Sequence, residues 1–318
     1  IIGAGNAGMV AAATAADAGM DFIIAEKAAV LGTTRSWYGV CNSTQCVEAG
    51  KQADPMFMLN DLTRYANGKV NQKVIKCWID NSAEMNDWLV SIMDGYGFDV
   101  YFETNTGNEQ GAGGCHYFCA PTQHNYNARE DCPEEYAAMP RNMILEDYIV
   151  QKGYSVTYEY DLVELVREED GPVTGAIFAT PEGFVQINAN NVLLTTGGYA
   201  GNYEMLEALN PNVVRNTTAS GGAWDLNTGM GIKAAMWIGA EKDIEPTGMI
   251  WDRGLTSPAR PAASCVTRTP AAGPVAACWP VQPRLPALPA GRSTRRALPQ
   301  RERSLRLRDE RIVEAPCG

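Results

Sequence analysis

Ile1-Ile-Gly-Ala-Gly-Asn-Ala-Gly8 opens the chain, and an apolar run, Phe22-Ile-Ile-Ala-Glu26, follows it after an alanine-rich stretch and a turn at Gly19. This order of residues is that of a dinucleotide-binding β-α-β unit. Gly3 permits a tight turn off the first strand, Gly5 lets the backbone approach a pyrophosphate, and Gly8 lets the helix pack close to the sheet. Unpaired N–H groups and the positive dipole end of the helix favour an anion at that point. Glu26 stands where an acid accepts hydrogen bonds from a ribose diol. An ordinary glycine turn would explain the glycines but not the helix, the second strand and the acid that accompany them.

Only two strand residues precede Gly3, so the expectation is that the chain begins inside an element, with an N-terminal piece and any targeting signal missing. No run of about eighteen apolar residues occurs, so no membrane span is expected.

The hydrophobic fraction of 45% suits a sizeable core, and 318 residues could hold two domains. A net charge of −11 argues against nucleic acid or an anionic membrane as partner. The charge is unevenly placed. Residues 1–253 carry 15 Lys and Arg against 33 Asp and Glu, whereas residues 254–318 carry 11 Arg, no Lys and 4 acids. That tail also holds 10 of the 18 prolines and lacks Phe, Tyr, Asn and Met. A disordered Pro/Ala/Arg tail is one reading; a frame error in GC-rich coding sequence is the other. Nine cysteines form no small-domain disulfide framework, which favours a reducing compartment. Cys115-His116, Cys119, His124 and Cys132 fit no zinc spacing well, so no metal is expected.

Beyond the opening unit, residues 30–43 read as a glycine and hydroxyl loop. Ile75, Trp78, Ser82, Met85, Leu89 and Ile92 step by three and four, predicting a long helix stopped by Gly95. Residues 103–140 read as a long loop, and residues 154–195 as a run of short strands forming a β-meander. The run ends in Val192-Leu-Leu, which enters Thr195-Thr-Gly-Gly-Tyr-Ala-Gly-Asn202. In a parallel sheet this second glycine turn lies at the carboxyl edge beside the first. Two such turns would cradle an extended cofactor, favouring FAD over a nicotinamide nucleotide. A nicotinamide-dependent dehydrogenase would leave the meander and second turn without a task.

On the opening Gly-Ala-Gly-Asn-Ala-Gly, Glu26-Lys27, the Thr-Thr-Gly-Gly-Tyr-Ala-Gly-Asn turn and Thr228-Gly-Met-Gly-Ile-Lys-Ala-Ala-Met-Trp-Ile-Gly-Ala240, residues 1–253 resemble the fumarate reductase/succinate dehydrogenase flavoprotein family. The likeness is to its FAD-dependent reductase branch, near urocanate reductases and 3-oxosteroid dehydrogenases. It implies an α/β, Rossmann-like FAD-binding domain with a parallel sheet and a β-meander. The pyrophosphate would lie along Gly5, Asn6, Ala7 and Gly8 after the Gly3 turn, and the adenosine ribose on Glu26, next to Lys27. Gly32, Thr33, Thr34 and Ser36 would belong to the loop under the isoalloxazine, and Leu162 would hold the adenine through its backbone. Thr196, Gly197, Gly198, Gly229 and Gly231 would flank the flavin. Leu31-Gly-Thr-Thr stands where the family has Gly-Gly-Asn-Ser/Thr, and Met230 where Asp is common.

The chemistry implied is hydride transfer between flavin and the double bond of an α,β-unsaturated acid or ketone. A separate haem or flavin protein is the candidate electron donor, in a bacterial protein whose cytoplasmic or exported location is open. In the family an Arg of a Gly-Glu-Arg-Phe segment in the capping domain handles the proton. No such segment occurs here, so the catalytic residues are unknown; Arg253 is the last basic residue before the composition changes. Reading residues 294–314 from the second base of each back-translated codon permits Arg-Gly-Glu-Arg-Phe-x-Asn-Glu, with Gln300-Arg301 yielding Asn or Ser when Arg301 uses a CGN codon. The expectation is therefore a frame slip between about Arg253 and Pro258. Residues 1–253 form the FAD-binding domain, 254–318 replace the start of the capping domain, and the chain is expected to be catalytically defective. A truncated, non-catalytic FAD-binding fragment is the alternative.

Overall fold

Ile2 sits between two parallel neighbours, Ala25 on one side and Leu194 on the other. Strand β1 (Ile24–Ala25) pairs in turn with β5 (Val156–Thr157), also parallel. The sheet therefore runs β5, β1, residues 1–3, residues 193–195. Bonds from Gly3 N–H to Ala25 O (2.7 Å) and from Thr195 N–H to Ile2 O (2.9 Å) set both glycine turns at one edge. The computed structural model describes residues 1–32, 35–103, 122–216 and 226–242, together with the strands Thr267–Arg268, Ala277–Cys278 and Val313–Glu314. Thr33, Thr34, Cys115, His116, Cys119, Arg253 and the remainder of the 254–318 tail lie outside the described residues.

Helix α1 (Asn6–Asp17) crosses from the first strand to β1 and buries Met9, Ala12, Ala13 and Ala16. Those alanines are small, so α5 (Arg141–Gln151) comes in close and buries Ile144, Leu145 and Ile149 in the same cluster. Leu89, Ile92 and Met93 of α4 (Gln72–Gly95) close it. Asp17, at the end of α1, joins the three helices by accepting from Trp88 Nε1 (2.7 Å), Tyr148 OH (2.6 Å) and Lys152 Nζ (3.0 Å). Local signals place the other helices. Pro55 starts α3 (Pro55–Tyr65) behind an Asp54 cap, whose carboxylate accepts from Phe57 N–H at 2.7 Å. Ser43 caps the short α2 (Thr44–Glu48), and α3 and α4 share a small cluster of Cys41, Met58, Leu59 and Ile79.

The meander is β6 (Asp161–Arg167), β7 (Val173–Thr180) and β8 (Gly183–Asn188), antiparallel and joined at the turns the glycines mark. It packs Leu162, Leu165, Ala176 and Phe178 against Ile2, Ala25 and Ala234 of α8 (Met230–Trp237). The meander starts later than its sequence suggests: Val156 and Thr157 belong to the parallel sheet instead. The expected loop 103–140 also contains a strand, β4 (Gln123–Ala128), which pairs antiparallel with β3 (Phe98–Phe102) and with β2 (Tyr38–Gly39). Its sequence, Gln-His-Asn-Tyr-Asn-Ala, has little apolar alternation, and only its partners make it a strand. Two short helices, α6 (Tyr203–Leu209) and α7 (Pro211–Asn216), follow the second glycine turn.

His124 on β4 is fully buried between the rings of Tyr38 and Phe102. Ser43 Oγ accepts from Cys46 N–H (3.0 Å), so its own proton goes to His124 Nε2 at 2.7 Å. Nδ1–H then donates to Thr122 O at 2.9 Å, a neutral imidazole with both nitrogens used. Burial holds this histidine below its ordinary value of 6.5. The unfolded chain therefore takes up a proton that the folded one refuses, and stability falls as pH drops below about 6.5. One proton contributes at most about 1.4 kcal/mol per pH unit. Urea unfolding at pH 7.5 and 5.5 should show this drop in the parent chain and a much smaller one in His124→Gln; equal drops would remove the assignment.

Candidate functional site

Gly3 turns the chain with φ +100°, and a Cβ there would meet Thr195 O at 2.7 Å. The fit at Gly8 is tighter, since a Cβ would lie 1.8 Å from Gly3 O and 2.9 Å from Thr195 Oγ1. Thr195 Oγ also reaches the carbonyls of Ile2 (2.9 Å) and Gly3 (2.8 Å). The first strand, α1 and the Thr195 turn thus lock at backbone contact. This leaves the N-terminal turn of α1 exposed: Gly5, Asn6 and Ala7 face out, and the Gly5 cap supplies no side-chain acceptor. N–H groups without a helical partner point out of such a turn, at its positive end.

These residues form one wall of a cleft of about 1000 Å³. Of the residues expected from sequence, Gly3, Gly5, Asn6, Ala7, Glu26, Lys27, Gly32, Leu162, Thr196, Gly197 and Gly231 all line it. Gly8 lies buried beneath the wall as a spacer. Gly229 caps α8 and donates its N–H to Gly198 O at 3.1 Å, and neither of these two glycines lines the cleft. Gly231 packs against Thr196. Ser36 is also absent from the lining, and its carbonyl faces Arg141 instead.

Glu26 directly follows β1 and holds its carboxylate on two main-chain donors: Ala4 N–H to Oε2 (2.8 Å) and Ala28 N–H to Oε1 (3.0 Å). Each oxygen keeps a further lone pair for a hydroxyl. Lys27 Nζ donates to Leu226 O at 2.5 Å, tying the segment after the second turn to the end of β1. The opposite wall is more apolar, with Met230, Ile232, Ala235 and Met236 from α8 and Leu209 from α6.

Sequence reasoning missed several lining residues. Tyr160 and Asp161 lie beside Leu162, Asn227 directly precedes the quoted Thr228-Gly-Met-Gly stretch, and Thr228 and Met230 lie within it, so adjacency to recognised residues was the available signal. Arg141 had no signal at all. It lies 135 residues from Asn6, yet its Nη2 donates to Asn6 Oδ1 at 2.9 Å. Among the described residues no cluster of three or more His, Cys, Asp or Glu could hold a metal ion. His124 is committed to Ser43, and Cys132 Sγ to Tyr96 O. No described helix is long and apolar enough to cross a membrane.

A family model described as FAD binding domain matches residues 1–267. A fumarate reductase (cytochrome) from Shewanella frigidimarina is 25% identical over 262 residues, covering 78% of this chain and 42% of that protein. A probable fumarate reductase from the same species, Ifc3, is 24% identical over 245 residues, covering 76% and 38%. The chain thus spans less than half the length of these curated relatives. Among solved structures, a 3-ketosteroid-Δ4-(5α)-dehydrogenase from Rhodococcus jostii RHA1 superimposes with TM-score 0.60 at 21% identity, over 76% of this chain and 53% of that one. A flavocytochrome c3 fumarate reductase gives 0.58 at 23%, over 76% and 40%. At these identities the two structures establish the fold.

Proposed function

We propose, from the premise that this chain belongs to the FAD binding domain family, that it is the cofactor-holding part of an oxidoreductase acting on a carbon–carbon double bond. The residues present suit FAD. The glycine contacts that open the first turn of α1, the carboxylate at the end of β1, and a cleft at the upper end of the roughly 300–1,000 Å³ range of small-molecule sites match an extended dinucleotide. Asn6 and Ala7 would hold the diphosphate through main-chain N–H groups, Glu26 the adenosine ribose, and Leu162 the adenine. Thr196, Gly197 and Gly231 would stand toward the flavin.

Bound FAD supplies a two-electron carrier for hydride exchange with the substrate. The chain's task is to orient it and keep water from it. The substrate class we favour is an α,β-unsaturated acid of the fumarate kind, supported by the curated relatives; a 3-oxosteroid is the alternative. A separate haem or flavin protein is the proposed electron donor. We further propose that residues 1–253 are the FAD-binding unit and that 254–318 stand in place of the start of a capping domain. Glu26 and Lys27 are already engaged with the main chain. A proton donor from the capping region, which the family resemblance implies, would complete the site for turnover.

The observation carrying the reading is the convergence of both glycine turns and Glu26 on one cleft. The test is anaerobic. Protein reconstituted with FAD should show a visible flavin band that dithionite bleaches; return of colour on adding fumarate or an enone supports a reductase. Retained, bleachable flavin that no enoate or enone reoxidises supports an FAD-binding piece without catalysis. Absence of bound flavin removes both.

A further inference from the structure

Arg141, the first residue of α5, is only 5% exposed. Among the described residues its guanidinium meets only neutral oxygens: Asn6 Oδ1 (2.9 Å), Ser36 O (3.2 Å) and Arg35 O (3.5 Å). It lies over the Tyr38 ring, 4.7 Å from the centroid. Among the described residues none of its partners is a carboxylate. Burial pushes it below the ordinary arginine value, but a guanidinium stays charged in any protein. A buried charge without a counter-charge costs several kcal/mol of folding stability. The neighbourhood adds to that cost, because Arg141 stands in the first turn of α5 and contacts the first turn of α1, both positive dipole ends. Asn142, the next residue, is also fully buried, with neither side-chain polar atom bonded. This turn of α5 is poor for folding alone, and an anion in the adjacent cleft is what would offset its charge.

We propose that Arg141 is a positioning residue for the cofactor diphosphate, supplying a buried positive charge behind the α1 turn and orienting Asn6 at the cleft wall. Arginine only donates, so the atom of Asn6 facing it is Oδ1, and the Nδ2 amide is left as the donor end for a ligand. The same guanidinium fixes the carbonyls of Arg35 and Ser36, joining the loop after Gly32 to the diphosphate helix. The inference rests on the FAD reading above and adds a positive charge behind the main-chain amides of the α1 turn.

The test compares Arg141→Lys, Arg141→Gln and Arg141→Met by two measurements on each purified chain: FAD affinity by titration of apoprotein, and the urea midpoint of the apoprotein. Removing the charge in the Gln and Met variants should weaken FAD binding roughly ten- to a hundred-fold, the scale of one unit charge acting over several ångströms at an effective dielectric constant of about 20. The apoprotein midpoint should stay level or rise, since an uncompensated charge has left the interior. Lysine should restore most of the affinity. Gln and Met variants that bind FAD like the parent would overturn the proposal. So would affinity and apoprotein stability falling together in all three variants, the pattern of a merely structural residue. A parent chain that binds no FAD would overturn the FAD reading and this proposal together.

Discussion

Gly8→Ala is expected to abolish FAD retention and to destabilise the apoprotein by about 3 kcal/mol or more, beyond the usual overpacking range of roughly 1–3 kcal/mol. The sign is diagnostic. Gly8 lies inside α1, where helix propensity alone favours Ala over Gly by about 1 kcal/mol. The contact argues the other way, because the added Cβ would sit 1.8 Å from Gly3 O. That neighbour is backbone, fixed on both sides: Gly3 N–H is bonded to Ala25 O, and its carbonyl receives Thr195 Oγ. Relief requires α1 to lift off the sheet, which moves the amides of residues 5–7 away from the ligand. Gly5→Ala is the matching control, since a Cβ at Gly5 meets nothing within 4 Å and φ is −71°. It should fold as the parent does and lose FAD affinity only. A Gly8→Ala chain as stable as the parent would show that the helix and strand can separate freely.

Glu26→Ala should weaken FAD binding by about a hundred-fold and lower stability by roughly 2–3 kcal/mol, from two main-chain donors left without their charged acceptor. Ala4 is 2% exposed, so its N–H cannot turn to water when Oε2 is gone. The ribose loses its acceptor in the same change. Glu26→Gln keeps the shape but has one oxygen for two N–H groups, so its amide nitrogen must face either Ala4 or Ala28. It should fall between the parent and the alanine variant in both measurements. Calorimetric titration of FAD into each apoprotein, beside urea unfolding, checks the pair. Full FAD affinity in Glu26→Ala would take the carboxylate out of the site.

The opening unit is legible in sequence because its requirements are local. A turn, a close helix contact and a terminal acid fall within 26 residues, and each is met by residue type alone. Helix α4 is legible for a related reason: Leu89 and Ile92 face the core at helical spacing, while Ile75 and Trp78 pack on the smaller cluster. Strand β4 is not, because Gln123-His-Asn-Tyr-Asn-Ala128 alternates weakly and becomes a strand by pairing with residues 98–102. Val156 and Thr157 lie in an alternating run, Tyr154-Ser-Val-Thr-Tyr-Glu-Tyr160, continuous with the meander, and only their parallel register with Ile24 and Ala25 separates them from it. Arg141 is the extreme case, since nothing near it in the chain marks it. The carbonyls and amide that hold it come from residues 6, 35 and 36. Glycine requirements are written in residue identity, whereas the electrostatic partners of a side chain such as Arg141 are set by the fold.

The most direct measurement of the central claim is a crystal structure of the chain with FAD added. The diphosphate should sit on the main-chain N–H groups of Asn6 and Ala7, with the adenosine ribose within hydrogen-bonding distance of the Glu26 carboxylate. A diphosphate held elsewhere, or a Glu26 carboxylate that faces no ribose, would contradict it.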